Sequence, residues 1–216
     1  MDVGILGGTG PAGQALAARL ASVGLKVVIG SRSADRAAGV CDALREKWPD
    51  LDLPLVPGAN ADAAGASIVV VATPWDAAAS TAASVAEHLS GKVLISMANA
   101  VTRAGGEFQA VTPPGGSVAA DVQAAVPDAK VAAAFHHLPA KSLAALSRPI
   151  EGDVLVCASD PEAAGETAAL VERIPNLRAL HAGSLAAAAP VEAFTAVLLE
   201  INRRYKARAA VRLTGL

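Results

Sequence analysis

A short apolar strand that runs into closely spaced glycines and then directly into a helix leaves few folds open, and this chain begins that way. Asp2 to Leu6 reads as a buried strand, Gly8, Gly10 and Gly13 give the spacing GxGxxG, and Gln14 to Val23 carries apolar residues at helical spacing. A second strand, Lys26 to Gly30, completes a βαβ unit. In such a unit one glycine permits the tight turn, the next lets the backbone approach a diphosphate, and the third lets helix and strand pack closely. Pro11 suits a first helical position, where its missing N–H has no helical partner to lose. The free N–H groups and partial positive charge of that helix end favour the pyrophosphate of a dinucleotide.

The end of the second strand selects which dinucleotide. An NAD site has Asp or Glu about twenty residues beyond the glycines to accept hydrogen bonds from the ribose 2′-OH, and that carboxylate repels a 2′-phosphate. This chain has Ser31 and Arg32 instead, with Arg36 one helical turn further on. A guanidinium grips phosphate bidentately and a hydroxyl adds a donor. Asp35 opposes them, but Arg36 beside it balances the charge. Ser31, Arg32 and Arg36 therefore point to NADP(H).

At 216 residues the chain exceeds a Rossmann unit of about 150 residues, yet the remainder is short for an independent substrate domain. A second ligand is expected over an open cleft or with help from a second subunit. A hydrophobic fraction of 53% beside 18% charged residues indicates a globular chain with ample core. No uninterrupted apolar run reaches the ~18 residues of a membrane span, and the first strand starts at Asp2, so a cytoplasmic address without membrane contact is expected. A net charge of −2 gives no cause to expect nucleic acid. Residues 201–216 nevertheless hold five cations and no acid, which reads either as a solvated helix end or as a patch for the anionic part of a ligand. Cys41 and Cys157 lie outside any CxxC spacing and read as free thiols.

Strands and helices alternate, which predicts an α/β, Rossmann-type doubly wound, mainly parallel sheet with a small C-terminal helical extension. Strands are expected near 2–6, 26–30, 51–56, 67–72, 92–97, 130–135, 153–158 and 177–181. Helices are expected near 11–23, 33–47, 60–65, 76–89, 117–125, 140–146, 161–173 and 184–206, the last split or kinked by Pro190. Ala98 to Gly116, with two Gly-Gly pairs and Pro113-Pro114, reads as a long mobile flap. Residues 1–140 are expected to form the NADP-binding domain, and 141–216 a small part that completes the sheet and covers the cleft.

Ligands of an open α/β sheet lie beyond the carboxyl ends of its strands. Three segments fall there. Thr73-Pro74-Trp75 is suited to line the nicotinamide ribose, with core packing the alternative for Trp75. Met97 and Ala98 end a strand where small residues let a flat ring approach the backbone. Phe135 to Ala140 contains His136 and His137, but neighbours on an extended strand point to opposite sides and no acidic or thiol cluster accompanies them. No metal site is expected, and one imidazole belongs to the scaffold while the other faces the cleft. No Tyr-Lys or Ser-His-Asp set supplies a general acid or base. Carbonyl reduction needs a proton donor as the hydride arrives, whereas exchange between two redox cofactors mainly needs two rings held face to face. Transfer between cofactors is the expectation.

The segments GILGGTGPAGQALAARLASVGLKVVIGSRS, VVVATPW, AAAFHHLPA and VEAFTAVLLEINRRYKARAAVRLTGL together resemble the NADPH-dependent coenzyme F420 reductases, also called F420H2:NADP+ oxidoreductases, over nearly the whole chain. The resemblance implies reversible hydride transfer between C4 of the nicotinamide and C5 of the deazaflavin. It implies that Thr9 to Ala12 hold the pyrophosphate, Ser31, Arg32 and Arg36 the 2′-phosphate, and that Thr73 and Trp75 border the ribose and ring. It puts the Ala140 backbone at the carboxamide and His136 and Leu138 beside the deazaflavin. F420/F420H2 is then the redox partner, and a homodimer through the C-terminal helix is expected. The chain departs from the family at 186–190, where AAAAP stands for an Asn-Ala-Arg-like stretch. Two other readings stay open: a flavin or ferric-chelate reductase, and a non-catalytic NADP(H) sensor.

Overall fold

Period-two alternation builds the sheet of the computed structural model, which describes residues 1–216. Along β1 (Asp2–Leu6), Val3 and Ile5 enter one apolar layer and Leu6 the other. β2 (Lys26–Ser31) repeats the pattern, with Val27 and Ile29 on the first side and Val28 on the second. Burial on both faces is the mark of a parallel sheet covered by helices on each side. The other strands are β3 (Leu55–Ala59), β4 (Ile68–Val71), β5 (Val93–Ser96), a separate hairpin of β6 (Val101–Ala104) and β7 (Glu107–Ala110), then β8 (Lys130–Ala133), β9 (Gly152–Ala158) and β10 (Leu177–Gly183). The helices are α1 (Pro11–Ala21), α2 (Ala34–Lys47), α3 (Asn60–Ala64), α4 (Trp75–Ala83), α5 (Val118–Ala125), α6 (Ala140–Leu143), α7 (Pro161–Glu172) and α8 (Ala188–Tyr205).

The eight sheet strands run in the order β10-β9-β8-β5-β4-β1-β2-β3. All neighbours are parallel except β8 and β9. This is the expected Rossmann-type fold. The chain leaves β1 toward β2 on one side and returns to β4 on the other, so the crevice between β1 and β4 is the topological switch point. β9 and β10 extend the same sheet in the reverse direction.

Several elements differ from expectation for identifiable reasons. β3 starts at Leu55 rather than residue 51 and contains Pro57 and Gly58, tolerable because β3 is an edge strand paired only with β2. The supposed flap contains a hairpin. Ala104 pairs with Glu107 across Gly105 and Gly106, whose φ values of 58° and 85° suit a two-residue turn, and β7 packs on α8. Pro190 does not kink the last helix, because as the third residue of α8 its missing N–H falls among those with no helical acceptor. Leu185–Tyr205 also makes a helical stretch of 21 residues containing an 18-residue window of mean hydropathy 1.4, long and apolar enough by composition to cross a membrane. In this fold it is fastened to the domain by Glu192. The carboxylate accepts from the N–H groups of Val118 (2.8 Å) and Ala119 (3.1 Å) at the start of α5. Burial pushes that carboxyl up to about 7, against the opposing effect of the two N–H donors.

Candidate nucleotide and redox site

One row of paired residues sets the rim of the site. Leu6 pairs with Val71, Val71 with Ser96 and Ser96 with Ala133, so the loops after β1, β4, β5 and β8 leave the sheet side by side. In the first loop the tight turn belongs to Gly7, at φ 65°, rather than to Gly8. A Cβ on Gly7 would lie 2.3 Å from Thr73 Cγ2, so the loops after β1 and β4 touch. Gly8 is a packing glycine: an added Cβ would come within 3.1 Å of Ile29 Cγ2, while its N–H donates to Gly30 O at 2.9 Å. Gly13 packs against it, with 2.8 Å from its would-be Cβ to Gly8 Cα. Gly10 alone is open, with nothing nearer than 3.8 Å.

Gly10 is also the N-cap of α1, and no side chain caps the helix there. The first N–H groups of an 11-residue helix, opened by Pro11 and Ala12, thus face an uncrowded glycine surface, which fits a diphosphate. Thr9 is buried, and its carbonyl accepts from Gln14 Nε2 at 2.7 Å. Asn60, the first residue of α3, accepts the Gly7 N–H at 3.1 Å and so fixes the turn. Sequence reading missed Asn60, which is remote from the motif and meets it only through the fold.

At the end of β2, Ser31 is buried and its hydroxyl accepts the Ser33 N–H at 3.2 Å. Ser33 caps α2 by accepting the Arg36 N–H at 3.3 Å. Arg32 and Arg36 are exposed and belong to none of the ion pairs, so both guanidiniums are free to meet an anion. At the end of β4, Thr73 Oγ1 is buried with no partner, Pro74 is exposed, and Trp75 is half-buried against the apolar layer under α4.

A cavity of about 190 Å³ opens beside the start of α1. It gathers Ala12, Met97, His136, Leu138 and Ala140, which the sequence singled out separately. Ala98 does not join them; it is buried in the opposite apolar layer. Nor do Ser31, Arg32, Arg36 and Thr73, which lie along the rim at the ends of β2 and β4. α8 closes the cavity with Thr195, Leu198, Leu199 and Asn202.

The two histidines divide their work. His137 Nε2 accepts the Leu155 N–H of β9 at 2.9 Å, which makes it a neutral scaffold group. His136 lines the cavity with both ring nitrogens buried and unpartnered. Burial, with His137 adding repulsion, lowers the His136 pKa to about 3; burial alone dominates for His137, at about 4. At neutral pH His136 therefore offers one donor and one acceptor but no charge. Phe135 before it is buried in the left-handed region at φ 63°, uncommon for a bulky residue. Asn99 steadies this turn: its Nδ2 donates to His136 O at 2.7 Å while its Oδ1 accepts the Thr195 hydroxyl at 3.0 Å. No cluster of three or more His, Cys, Asp or Glu side chains offers a metal-binding arrangement.

The basic tail separates by position. Arg203 and Arg204 pair with Glu200, and Arg204 lines a groove between β7 and α8 rather than the cavity. Arg208 instead reaches the Lys141 carbonyl at 3.4 Å, next to the cavity residue Ala140.

The family described as NADP oxidoreductase, coenzyme F420-dependent, matches residues 2–100. An F420-dependent NADP reductase of Methanocaldococcus jannaschii is 33% identical, with 100% of this chain and 99% of that protein covered. Its namesake from Methanothermobacter marburgensis is 32% identical at the same coverage. A crystal structure from Arthrobacter sp. FB24, provisionally named an F420-dependent NADP-reductase, superposes with a TM-score of 0.83 at 24% identity, covering 99% of each chain. With a relative above 30% identity matched from end to end, and a glycine-cradled helix sharing Ala12 with the redox cavity, the chain belongs to the F420-dependent NADP reductase family.

Proposed function

We propose that this chain is an oxidoreductase that carries a hydride reversibly between NADP(H) and the deazaflavin coenzyme F420. The observation that carries this reading is the double role of Ala12, which lies in the first turn of the uncapped helix α1 and also lines the cavity together with His136 and Leu138. A dinucleotide seated on α1 brings its nicotinamide end to that wall. Gly8, Thr9, Gly10, Pro11 and Ala12 hold the pyrophosphate, Ser31, Arg32 and Arg36 the 2′-phosphate, and Thr73, Pro74 and Trp75 the ribose side. Met97 and the Ala140 backbone border the nicotinamide. His136 and Leu138 meet the deazaflavin. The hydride passes from C4 of the dihydronicotinamide to C5 of the deazaflavin, which takes one further proton from solvent.

A neutral His136, with a pKa near 3, is a hydrogen-bonding wall rather than an acid. That accords with a reaction in which alignment of two rings replaces general acid catalysis. A cavity of about 190 Å³ is smaller than pockets that enclose a drug-sized ligand, so the nicotinamide itself supplies the other wall for the deazaflavin. Residues 1–140 serve as the nucleotide-binding part, and 141–216 complete the sheet and cover the cleft. A cytoplasmic address suits the two buried free thiols.

Mixed with NADPH and oxidised F420, the purified protein is expected to bleach the deazaflavin absorbance while FMN and ferric chelate beside it stay unreduced. Reduction of FMN or ferric chelate alone would transfer the reading to that acceptor. Tight NADPH binding without any turnover would favour a sensor.

We propose a homodimer through α8. Phe194, Val197, Ile201 and Tyr205 are 41%, 49%, 36% and 73% exposed along one helix, beside a groove of about 640 Å³ against β7. A second copy of α8 removes this apolar stripe from water. Sedimentation equilibrium is expected to give twice the chain mass for the wild type and the chain mass for Val197→Glu. A monomeric wild type would overturn the assignment.

A further inference from the structure

Arg19 is 6% exposed, yet no carboxylate pairs with it. Its donors are spent on main chain. Nε donates to Leu143 O at 3.0 Å, Nη2 to Ser142 O at 2.9 Å and to Ala145 O at 2.8 Å, and both Nη atoms reach Arg148 O at 3.3 Å. These four carbonyls belong to the end of α6 and the turn after it. A helix of four residues leaves its last carbonyls without helical partners. A buried cation is costly without acceptors, and here each of the three guanidinium nitrogens meets at least one main-chain carbonyl.

The two elements it joins both line the cavity. α1 contributes Ala12, and the α6 segment contributes Pro139, Ala140 and Leu143. Hydride transfer requires reacting atoms about 3 to 3.5 Å apart, so a small drift of one wall matters. We infer that Arg19 is a positioning residue that sets the gap between α1 and the α6 wall, and so the seating of the deazaflavin, through four backbone carbonyls, a role that rests on the hydride-transfer reading above. The fork is essential to it: a lysine keeps the charge but cannot span carbonyls in a fixed plane.

The test compares wild type, Arg19→Lys and Arg19→Met. Both variants are expected to bind NADPH within about threefold of wild type, because the pyrophosphate and 2′-phosphate contacts at the ends of β1 and β2 carry most of that affinity and the α6 wall adds only the Ala140 backbone. The KM for F420 is expected to rise on the order of 10-fold in Arg19→Lys and further in Arg19→Met, and kcat to fall with it as the two rings lose their alignment. Amide hydrogen exchange is expected to quicken in residues 139–148 and stay unchanged in the sheet strands. A folded variant with unaltered KM for F420 and unaltered exchange at 139–148 would overturn the role. So would equal losses of NADPH affinity and F420 KM with faster exchange throughout, which mark a purely structural arginine. Should Arg19→Met fail to fold, Arg19→Lys carries both measurements. Wild type that turns over no F420 refutes the functional reading itself, and exchange at 139–148 still decides whether Arg19 holds that wall.

Discussion

Replacing both free guanidiniums at the end of β2, Arg32→Ala with Arg36→Ala, is expected to raise the Kd for NADPH by roughly two to three orders of magnitude and to leave the Kd for NADH within a few-fold. A hydrogen bond to a charged group contributes about 1.5 to 3 kcal/mol, so Arg32→Ala alone predicts a loss on the order of 10- to 100-fold. The loss should be confined to binding, because both side chains are exposed and neither is tied to another residue by an ion pair. α2 keeps its cap in the double variant, since Ser33 accepts from the Arg36 main chain rather than its side chain. Ser31 is untouched in the double variant, and its hydroxyl proton is expected to keep some preference for NADPH. Calorimetric titration with each nucleotide checks the prediction, and the difference should shrink at high salt as the phosphate is screened. Equal losses for NADPH and NADH would remove Arg32 and Arg36 from the phosphate site.

What the sequence disclosed follows from how local each signal is. The buried strands announce themselves as runs such as Ile68–Val71 or Val93–Ser96, and the glycine spacing marks one βαβ unit by itself. β3 runs to Ala59 through Pro57 and Gly58, residues that weaken a strand in isolation, and only the sheet order reveals an edge where they are allowed. The β6–β7 hairpin is legible in principle: Gly105-Gly106 between VTRA and EFQA is a two-residue turn signal, masked by the glycines and prolines that give the whole stretch a loop composition. Contacts across the fold left no such trace. Asn60 reaches Gly7 over 53 residues, Thr195 reaches Asn99 over 96, and Arg19 reaches Leu143 over 124. Each of these side chains is ordinary for its helix when read alone. The closing of the sheet brings them to the site.

Two glycine-to-alanine changes are expected to move stability in opposite directions for reasons visible at a single atom. Gly4 lies in the centre of the sheet, paired with β2 on one side and β4 on the other. A Cβ there would sit 1.8 Å from Ala63 O and 2.6 Å from Ala63 C, main-chain atoms of α3 that no rotamer change can relieve. Gly4→Ala must therefore push α3 off the sheet, and a loss of at least about 3 kcal/mol is expected. Function should fail with it. Asn60 begins α3 and holds the Gly7 turn, so a displaced helix releases the glycine loop and NADPH affinity falls even in whatever fraction stays folded. Gly39, by contrast, is exposed in the middle of α2, and its added Cβ would meet nothing within 4 Å. Gly39→Ala relieves the backbone entropy that a helical glycine loses on folding and should stabilise by about 0.5 to 1 kcal/mol, with NADPH binding unchanged. Urea unfolding of both variants beside wild type measures the contrast. A Gly4→Ala protein with a wild-type midpoint would mean that α3 does not rest on β1, and the link from Gly4 through α3 and Asn60 to the nucleotide loop would fall with it.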